Sequence, residues 1–228
     1  MKKEKGSKEL IEEHLTVVRR LIMDTEYHFT NLEFLYHLNE EDKKIVSGFM
    51  VLRNYRSILW HLIVLDLNKL LNNNKNDKFN LGRLIKRAKE NRYKQFWKHP
   101  VEFSLLNAYE EYLIKLEDQI SRLNEVRDKH VAHFDNKEVN FSISLPELKV
   151  LLSFCKDVYN SINYCLADIT THWYFPEMDM INPVIFNLSN YSKIRNLFYE
   201  NLTKHKSTID MNQLSKIIRP QAQVNVDE

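Results

Sequence analysis

The sequence predicts an all-α protein, an up-and-down helical bundle with a small C-terminal helical annex. Only three Gly and five Pro occur among the 228 residues, and folds with many β-hairpins need more of these turn-forming residues. Apolar residues recur at three- and four-residue spacing over long stretches, as they do on amphipathic helices. Because 43% of the residues are hydrophobic, the chain can bury a core and is not globally disordered.

The apolar spacing predicts long antiparallel helices, which a bundle requires. The predicted helices cover residues 8–38, 41–71, 81–92, 100–133, 145–171 and 191–204, with one more near 211–218. Of these, 41–71 is the most apolar and should lie in the middle of the bundle. The sequence therefore predicts a bundle domain over residues 1–175, followed by a helical extension and frayed tail over 176–228.

Local signals support several of these boundaries. Asn80 is a residue type that caps helices, and Pro100 suits the first turn of the helix that follows it. Ser144 and Glu147 have the spacing of a capping box before the helix that starts at 145. Alternating apolar residues over 139–145 indicate a short extended segment or a strand-like crossing. Pro176 and Pro183 are expected to bracket a loop.

Composition also bears on compartment and cofactors. Cys155 and Cys165 are ten residues apart on one predicted helix, roughly 15 Å by helical rise, which is too far for a disulfide. Without a disulfide framework and without an apolar leader, the expected location is the cytoplasm. The most apolar run, 58–71, is short and contains Asp66 and Lys69, so no membrane span is expected. No motif for a bound cofactor occurs, and none is expected.

Positive charge is concentrated in one segment. Residues 75–99 contain nine Lys or Arg against two acidic residues, a local charge of +7 in a chain whose net charge is +2. Such a segment is typical of a polyanion-binding face. Its aromatic residues are Phe79, Tyr93, Phe96 and Trp97. These rings can stack on bases, although a solvated basic helix with inward-packed rings has the same pattern.

The most informative motif is Arg-Asp-Lys-His-Val-Ala-His, residues 127–133, at the end of the 100–133 helix. The apolar stripe upstream continues onto Arg127 and His130, where a core helix would carry leucines. Burying such groups costs several kcal/mol unless they are paired. The position is therefore a candidate site.

This motif resembles the signature of HEPN domains, Arg-x4–6-His on the third long helix of a four-helix bundle. The longer string Arg-Asp-Lys-His-Val-Ala-His-Phe-Asp, residues 127–135, is most similar to the abortive-infection AbiU-type HEPN proteins. The run Ile-Leu-Trp-His-Leu-Ile-Val-Leu-Asp-Leu-Asn-Lys-Leu-Leu over 58–71 also resembles the second helix of that subgroup, as does the following Leu-Gly-Arg-Leu over 81–84. The resemblance extends over roughly residues 10–170.

The resemblance implies a metal-independent RNA endonuclease, or an inactive relative, that forms a homodimer with the site at the interface. It implies that His133 is the acid/base and that Arg127 clamps the phosphate. Asp128 corresponds to the polar residue that follows the motif arginine, and His130 to an additional proton-transfer group of the subgroup. It also implies a role in phage defence or as a toxin, with a possible antitoxin or defence partner.

For RNA binding we expect contributions from Lys86, Arg87 and Arg92 of the basic segment and from Lys129 of the motif. Asp66 is a predicted supporting residue, since its carboxylate interrupts the apolar face of the 41–71 helix.

Three alternatives remain for the motif itself. Lys129, His130 and His133 can simply complement a helix C-terminus, worth about 0.3–1 kcal/mol each. Arg127 can form a structural ion pair with Asp66. His130 and His133 can hold a metal with Asp135, although no second metal-binding motif accompanies them.

Two functions other than an RNA endonuclease are also consistent with the sequence. The protein can be a non-catalytic HEPN module that binds RNA, a nucleotide or a partner protein. It can also be a purely structural helical protein.

Overall fold

In a computed structural model, the protein is described over residues 6–72, 77–131, 143–173 and 181–203. These parts of the chain are mostly helical and contain no strand, which confirms the prediction of an all-α helical bundle. The helices are α1 Ser7–Tyr36, α2 Glu40–Gly48, α3 Met50–Leu71, α4 Leu81–Lys89, α5 Asn91–Lys94, α6 Phe103–Lys115, α7 Glu117–Val131, α8 Leu145–Ala167 and α9 Ile181–Thr203. None of the described helices is long and apolar enough to cross a membrane.

The chain forms two compact units. The larger comprises Met1–Glu33 and Arg56–Phe175, and the smaller comprises Phe34–Tyr55 and Pro176–Glu228. In the smaller unit α2 packs against α9, and Val46 is buried. The predicted domain boundary after residue 175 remains a prediction.

Three predicted helices are each interrupted by one residue outside the helical region. Phe49 has extended dihedrals (φ −102°, ψ 110°) and separates α2 from α3, directly after Gly48, a residue type that weakens helices. Glu90 is likewise extended (φ −73°, ψ 131°) between α4 and α5. Leu116 (φ −85°, ψ 0°) separates α6 from α7. The prediction of continuous helices was therefore wrong at these positions, since apolar spacing continues across a one-residue break.

The core of the larger unit is made by apolar faces of α1, α3, α4 and α8. Its fully buried members include Ile11, Val18, Ile22, Ile63, Leu67, Leu70, Leu81, Leu84, Ile85, Leu148, Leu151, Val158 and Ile162. The short helix α4 packs against both α6 and α8. This contact anchors the basic segment to the bundle through its apolar side, so only part of its surface remains exposed.

Both ends of α8 are closed by specific hydrogen bonds. At the N-terminus the predicted capping box is confirmed, with the Ser144 backbone N–H donating to Glu147 Oε2 at 2.7 Å. At the C-terminus Asp168 adopts the left-handed conformation (φ 61°). The backbone N–H groups of Lys98 and His99 donate to the Cys165 carbonyl at 2.8 and 3.0 Å. The helix consequently ends at Ala167, four residues before the predicted end.

The helix boundaries predicted near Pro100 and Pro183 differ from those in the structure. Pro100 precedes α6 by three residues and is not in its first turn. Pro183 is the third residue of α9, which begins ten residues earlier than predicted. A proline fits there because the first turn of a helix needs no intrahelical N–H donor.

Cys155 and Cys165 are free thiols. Most of the extended segment predicted over 139–145 and the whole helix predicted near 211–218 lie outside the described residues.

Replacing the cap of α8 should destabilise the protein. We expect Ser144→Ala to lower the free energy of unfolding by about 1 kcal/mol, because the Glu147 backbone N–H loses its acceptor. Urea denaturation followed by circular dichroism measures this difference. Ser153→Ala is the matched control, since Ser153 is exposed within the same helix. Equal losses in the two variants would show that the cap contributes nothing specific.

Candidate functional site

Arg127 lies in the last turns of α7, beside the core and not in it. The positions of α7 that enter the core are Leu123 and Val126, whereas Ile120 is only half-buried. The side chain of Arg127 is 32% exposed. The predicted stripe is therefore correct at Leu116 and Leu123, which are buried, and wrong at Arg127, since the next core position of α7 is Val126. The arginine borders the core and does not replace a core leucine.

The guanidinium of Arg127 is held by two neighbours. Its Nε and Nη2 atoms both donate to Asp128 Oδ1, at 2.8 and 2.6 Å. Its Nη1 atom donates to Asn68 Oδ1 of α3, at 2.6 Å. A guanidinium carries five N–H donors, so these bonds leave one N–H on each Nη atom. The two predicted residues Arg127 and Asp128 are thus in direct contact, and the arginine is fixed at both ends of its fork.

Sequence reasoning missed Asn68, whose side chain connects α3 to α7. Asn68 is only 3% exposed. Because Arg127 can only donate, Asn68 must present its oxygen to the arginine and its NH₂ group to another acceptor. That acceptor is Asn124 Oδ1, one turn before Arg127. The signal was available, since Asn68 interrupts the most apolar helix of the sequence two residues after Asp66.

Asp66, the predicted supporting residue, contacts Lys69 and His28, and its supporting role stays a prediction. Its carboxylate accepts from Lys69 Nζ at 3.1 Å and lies 3.9 Å from His28 Nδ1. Within the described residues it makes no ion pair with Arg127, whose partners are Asn68 and Asp128. Burial lowers the pKa of His28 below its ordinary value, although the Asp66 carboxylate acts in the opposite direction. The alternative in which Arg127 forms a structural ion pair with Asp66 is therefore wrong.

The remaining motif residues lie at or beyond the end of α7. Lys129 and His130 belong to its last turn, but their side chains lie outside the described residues, as do His133 and Asp135 altogether. Their mutual arrangement, including the metal alternative, stays a prediction. Among the residues that are described, no group of three or more His, Cys, Asp or Glu could hold a metal ion.

The basic side chains of the 75–99 segment differ in their exposure and in their partners. Lys86 is exposed. Arg87 is half-buried, and Arg92 donates to Glu90 Oε2 at 2.5 Å while covering the Tyr93 ring. Tyr93 is fully buried at 0% exposure, so it cannot stack on a base. Of the three cations predicted here, Lys86 is the one that the described chain leaves both exposed and without a side-chain partner.

His14 of α1 is a second residue that sequence reasoning missed. It is 0% exposed, and its ring bridges two groups of the basic segment. Nε2 lies 3.0 Å from the carbonyl oxygen of Asn80, which can only accept, and Nδ1 lies 2.7 Å from Arg87 Nη1, which can only donate. The ring is therefore neutral, with its proton on Nε2. Burial, followed by the charge of Arg87, lowers the pKa of His14 to about 3.

Asn80 completes this cluster and confirms its predicted role as a cap. Its Oδ1 atom accepts from the Arg83 backbone N–H at 2.8 Å, and its Nδ2 atom donates to the Asn72 carbonyl at 2.9 Å. It is buried. One asparagine thus joins the end of α3, the start of α4 and His14.

A groove of about 740 Å³ runs between α4, α6 and α7. Its volume is within the range of small-molecule sites. Leu113, Ile114 and Ile120 form one apolar wall, and Leu71 and Gly82 also line the groove. Its polar lining residues are Asn72, Asn80, Lys86, Glu110, Glu117, Ser121 and Asn124. The groove reaches the Arg127 cluster through Asn124, which contacts Asn68.

The buried neutral His14 should make the protein less stable in mild acid. The folded pKa of about 3 lies below the ordinary value of 6.5, so the unfolded chain binds a proton that the folded chain excludes. The contribution is fully present above pH 6.5 and is lost as the pH falls towards 3. We expect the unfolding free energy to fall by up to about 1.4 kcal/mol per pH unit below pH 6.

Urea denaturation between pH 6.5 and 5 measures this dependence. In His14→Gln, which keeps a donor and an acceptor without titrating, we expect the pH dependence to be shallower. His37→Gln removes an exposed histidine and serves as the control. Identical slopes in wild type and His14→Gln would refute the assignment.

Comparison with known proteins bears on this site directly. Residues 11–183 match the family model HEPN_AbiU2, described as AbiU2. No curated protein and no solved structure matches the chain. The matched region spans most of the chain and includes Arg127, Asp128, Asn68 and the whole motif up to His133. The resemblance drawn from the motif is thereby confirmed, and the chain belongs to the AbiU2 family of HEPN proteins, a family of abortive-infection modules.

Proposed function

We propose that this HEPN protein is a metal-independent endoribonuclease that cleaves RNA by attack of a ribose 2′-hydroxyl on the adjacent phosphate. The observation that carries the proposal is Arg127, whose guanidinium is held by Asn68 and Asp128 with two N–H groups left over. It is followed after five residues by His133, as in the HEPN motif. This pairing supplies a phosphate ligand and a titratable group on one stretch of chain.

The reaction needs two proton transfers and stabilisation of charge. A base takes the proton from the 2′-hydroxyl, the 2′-oxygen forms a bond to phosphorus, and the bond from phosphorus to the 5′-oxygen breaks. An acid then protonates the leaving 5′-oxygen, so the products are a 2′,3′-cyclic phosphate and a 5′-hydroxyl. Histidine titrates near neutrality and suits both steps. We assign this role to His133, with His130 as the second proton-transfer group.

Arg127 suits the role of phosphate clamp because of how it is restrained. A guanidinium contacts phosphate oxygens through parallel N–H donors. Here the donors that face Asn68 and Asp128 are occupied, and the two that remain belong to different Nη atoms of one rigid plane. Asp128 therefore orients the arginine, which is the function that we propose for the polar residue after the motif arginine.

The RNA path that we propose uses fewer residues of the basic segment than the sequence predicted. Lys86 and Lys129 are the proposed backbone contacts, since Arg87 is engaged by His14 and Arg92 by Glu90. We further propose that two copies of the chain join their motifs in a homodimer. On this proposal the protein acts in phage defence or as a toxin, with an antitoxin or defence partner.

Removal of the motif histidine should strongly reduce the rate of RNA cleavage. Purified protein is incubated with total RNA and a tRNA pool in EDTA, and the ends are analysed for 2′,3′-cyclic phosphate. We expect His133→Ala to reduce the rate by about 10²–10⁴-fold, the contribution of a general acid or base. Arg127→Lys, which keeps the charge and loses the fork, should also cleave more slowly.

His172→Ala is the control, because His172 is an exposed histidine outside the motif. Circular dichroism of each variant verifies folding. Cleavage by His133→Ala at the wild-type rate would contradict the role of that residue. Absence of cleavage by wild type as well would favour a HEPN module that binds RNA, a nucleotide or a partner protein without turnover.

Charge reversal at Lys86, which is exposed, should affect RNA binding more than charge reversal at Arg92, which pairs with Glu90. We expect Lys86→Glu to weaken RNA binding and to reduce the slope of log K against log salt by about 0.7, the value for one phosphate contact on a single strand. Arg92→Glu should change the slope less, because Arg92 already pairs with Glu90. Fluorescence anisotropy at several salt concentrations measures both slopes. An unchanged slope in Lys86→Glu would exclude α4 from the RNA path.

A further inference from the structure

We propose that the groove between α4, α6 and α7 binds the nucleobase next to the scissile phosphate, with Asn124 as the residue that selects the base. The inference rests on the proposed function, since it takes Arg127 as the phosphate clamp. It concerns a site on the larger unit that lies beside the motif and uses none of its residues. The chemical class of the ligand is an RNA base that offers a hydrogen-bond acceptor.

The orientation of the Asn124 amide is dictated by Arg127. The guanidinium can only donate, so Asn68 accepts through its oxygen and donates through its nitrogen. Asn124 must then accept through Oδ1. Its Nδ2 group, with two N–H donors, has no partner among the residues that the structure describes. Since Asn124 also lines the groove, this NH₂ group is available to a ligand acceptor there.

The groove's lining favours a base over a phosphate group. Glu110 and Glu117 both line it, but Glu110 is paired with Lys89 Nζ at 2.5 Å. Glu117 would repel a phosphate inside the groove, and its carboxylate can accept from the exocyclic amine or ring N–H of a base. Leu113, Ile114 and Ile120 form an apolar wall for a ring face, and Ile114 is 69% exposed. Lys86, on the α4 side of the groove, remains for the sugar–phosphate backbone.

The groove and the Arg127 clamp are connected through a short chain of hydrogen bonds. Two hydrogen-bonded side chains, Asn124 and Asn68, separate the groove from the Arg127 guanidinium. In RNA a base and the neighbouring phosphate are joined through one ribose. A phosphate at Arg127 therefore places an adjacent base near the wall formed by Asn124. The same relay makes the two sites interdependent, because loss of the Asn124 acceptor also removes a restraint on Asn68.

The test uses binding, so that it does not depend on turnover. Four 2′-O-methyl hexanucleotides, each of a single base, cannot undergo 2′-hydroxyl attack and report affinity alone by fluorescence anisotropy. We expect wild type to bind one of them about tenfold more tightly than the weakest, the scale of one hydrogen bond left unmade. Asn124→Ala should bind all four equally, and Asn124→Asp, which replaces the donor by an acceptor, should change the preferred base.

A second variant avoids any disturbance of the Arg127 relay. Ser121 is an exposed residue that lines the groove, so Ser121→Trp fills it with an indole while leaving Asn124 and Asn68 in place. We expect the base preference to disappear in this variant. Ser153→Trp adds the same ring to an exposed serine of α8 and should behave as wild type. Thermal denaturation of each variant verifies the fold.

The outcomes separate this inference from the nuclease proposal. Equal binding of the four oligonucleotides by wild type, no binding at all, or a preference unchanged in Asn124→Ala and Ser121→Trp would overturn the groove assignment. If wild type then still cleaves RNA, the nuclease proposal stands without it. A base preference that both variants lose supports the groove, even where wild type cleaves nothing and the nuclease proposal fails.

Discussion

The arrangement around the motif depends on one constraint: a half-buried guanidinium can only donate hydrogen bonds, and its neighbours must accept them. Arg127 meets an oxygen on each side, from Asn68 and from Asp128. That requirement fixes which way Asn68 points, and Asn68 in turn fixes Asn124. The neutral Asn68 of α3 accepts from the arginine without adding a charge, whereas Asp128 forms an ion pair with it. One N–H on each Nη atom is not used by these two partners, and we propose these N–H groups as the donors of the phosphate clamp.

Hydrogen bonding to a buried side chain also restrains an arginine of the basic segment, but there it makes the cation part of the internal packing. His14 is neutral because it lies fully buried between an acceptor and the Arg87 guanidinium. It ties Arg87 to the bundle, and Asn80 ties the start of α4 to the same point. Cations that look equivalent in the sequence thus have different functions. Arg87 belongs to the internal packing of the unit, whereas Lys86 stays exposed beside the groove.

These two clusters make the interhelical contacts between α1, α3, α4 and α7 partly polar. The buried side chains His14, Asn68 and Asn80 each have a defined hydrogen-bond partner, and buried networks of this kind specify one arrangement of helices more strictly than apolar contacts do. The cost is sensitivity to protonation and to single substitutions, since an unmade bond leaves a buried group unsatisfied. On the functional proposal, the same rigidity keeps the guanidinium in position for the reacting phosphate.

Much of the fold and part of the site could be predicted from the sequence alone. Apolar periodicity and the scarcity of Gly and Pro determined the all-α class, and Ser144 with Glu147 determined where α8 begins. The string from Arg127 to Asp135 pointed to the HEPN family, and the family match over residues 11–183 confirmed it. These signals are local, since each depends on residues within a few turns of one another.

Only the tertiary structure decided which polar groups meet. The breaks at Phe49, Glu90 and Leu116 leave apolar spacing almost intact, so they have no clear signature in the sequence. The partner of Arg127 proved to be Asn68 and not Asp66, two residues away on the same helix. Nothing local distinguishes these two candidates, because the choice depends on which face of α3 meets α7. His14 and Arg87 are 73 residues apart, and packing alone brings them together.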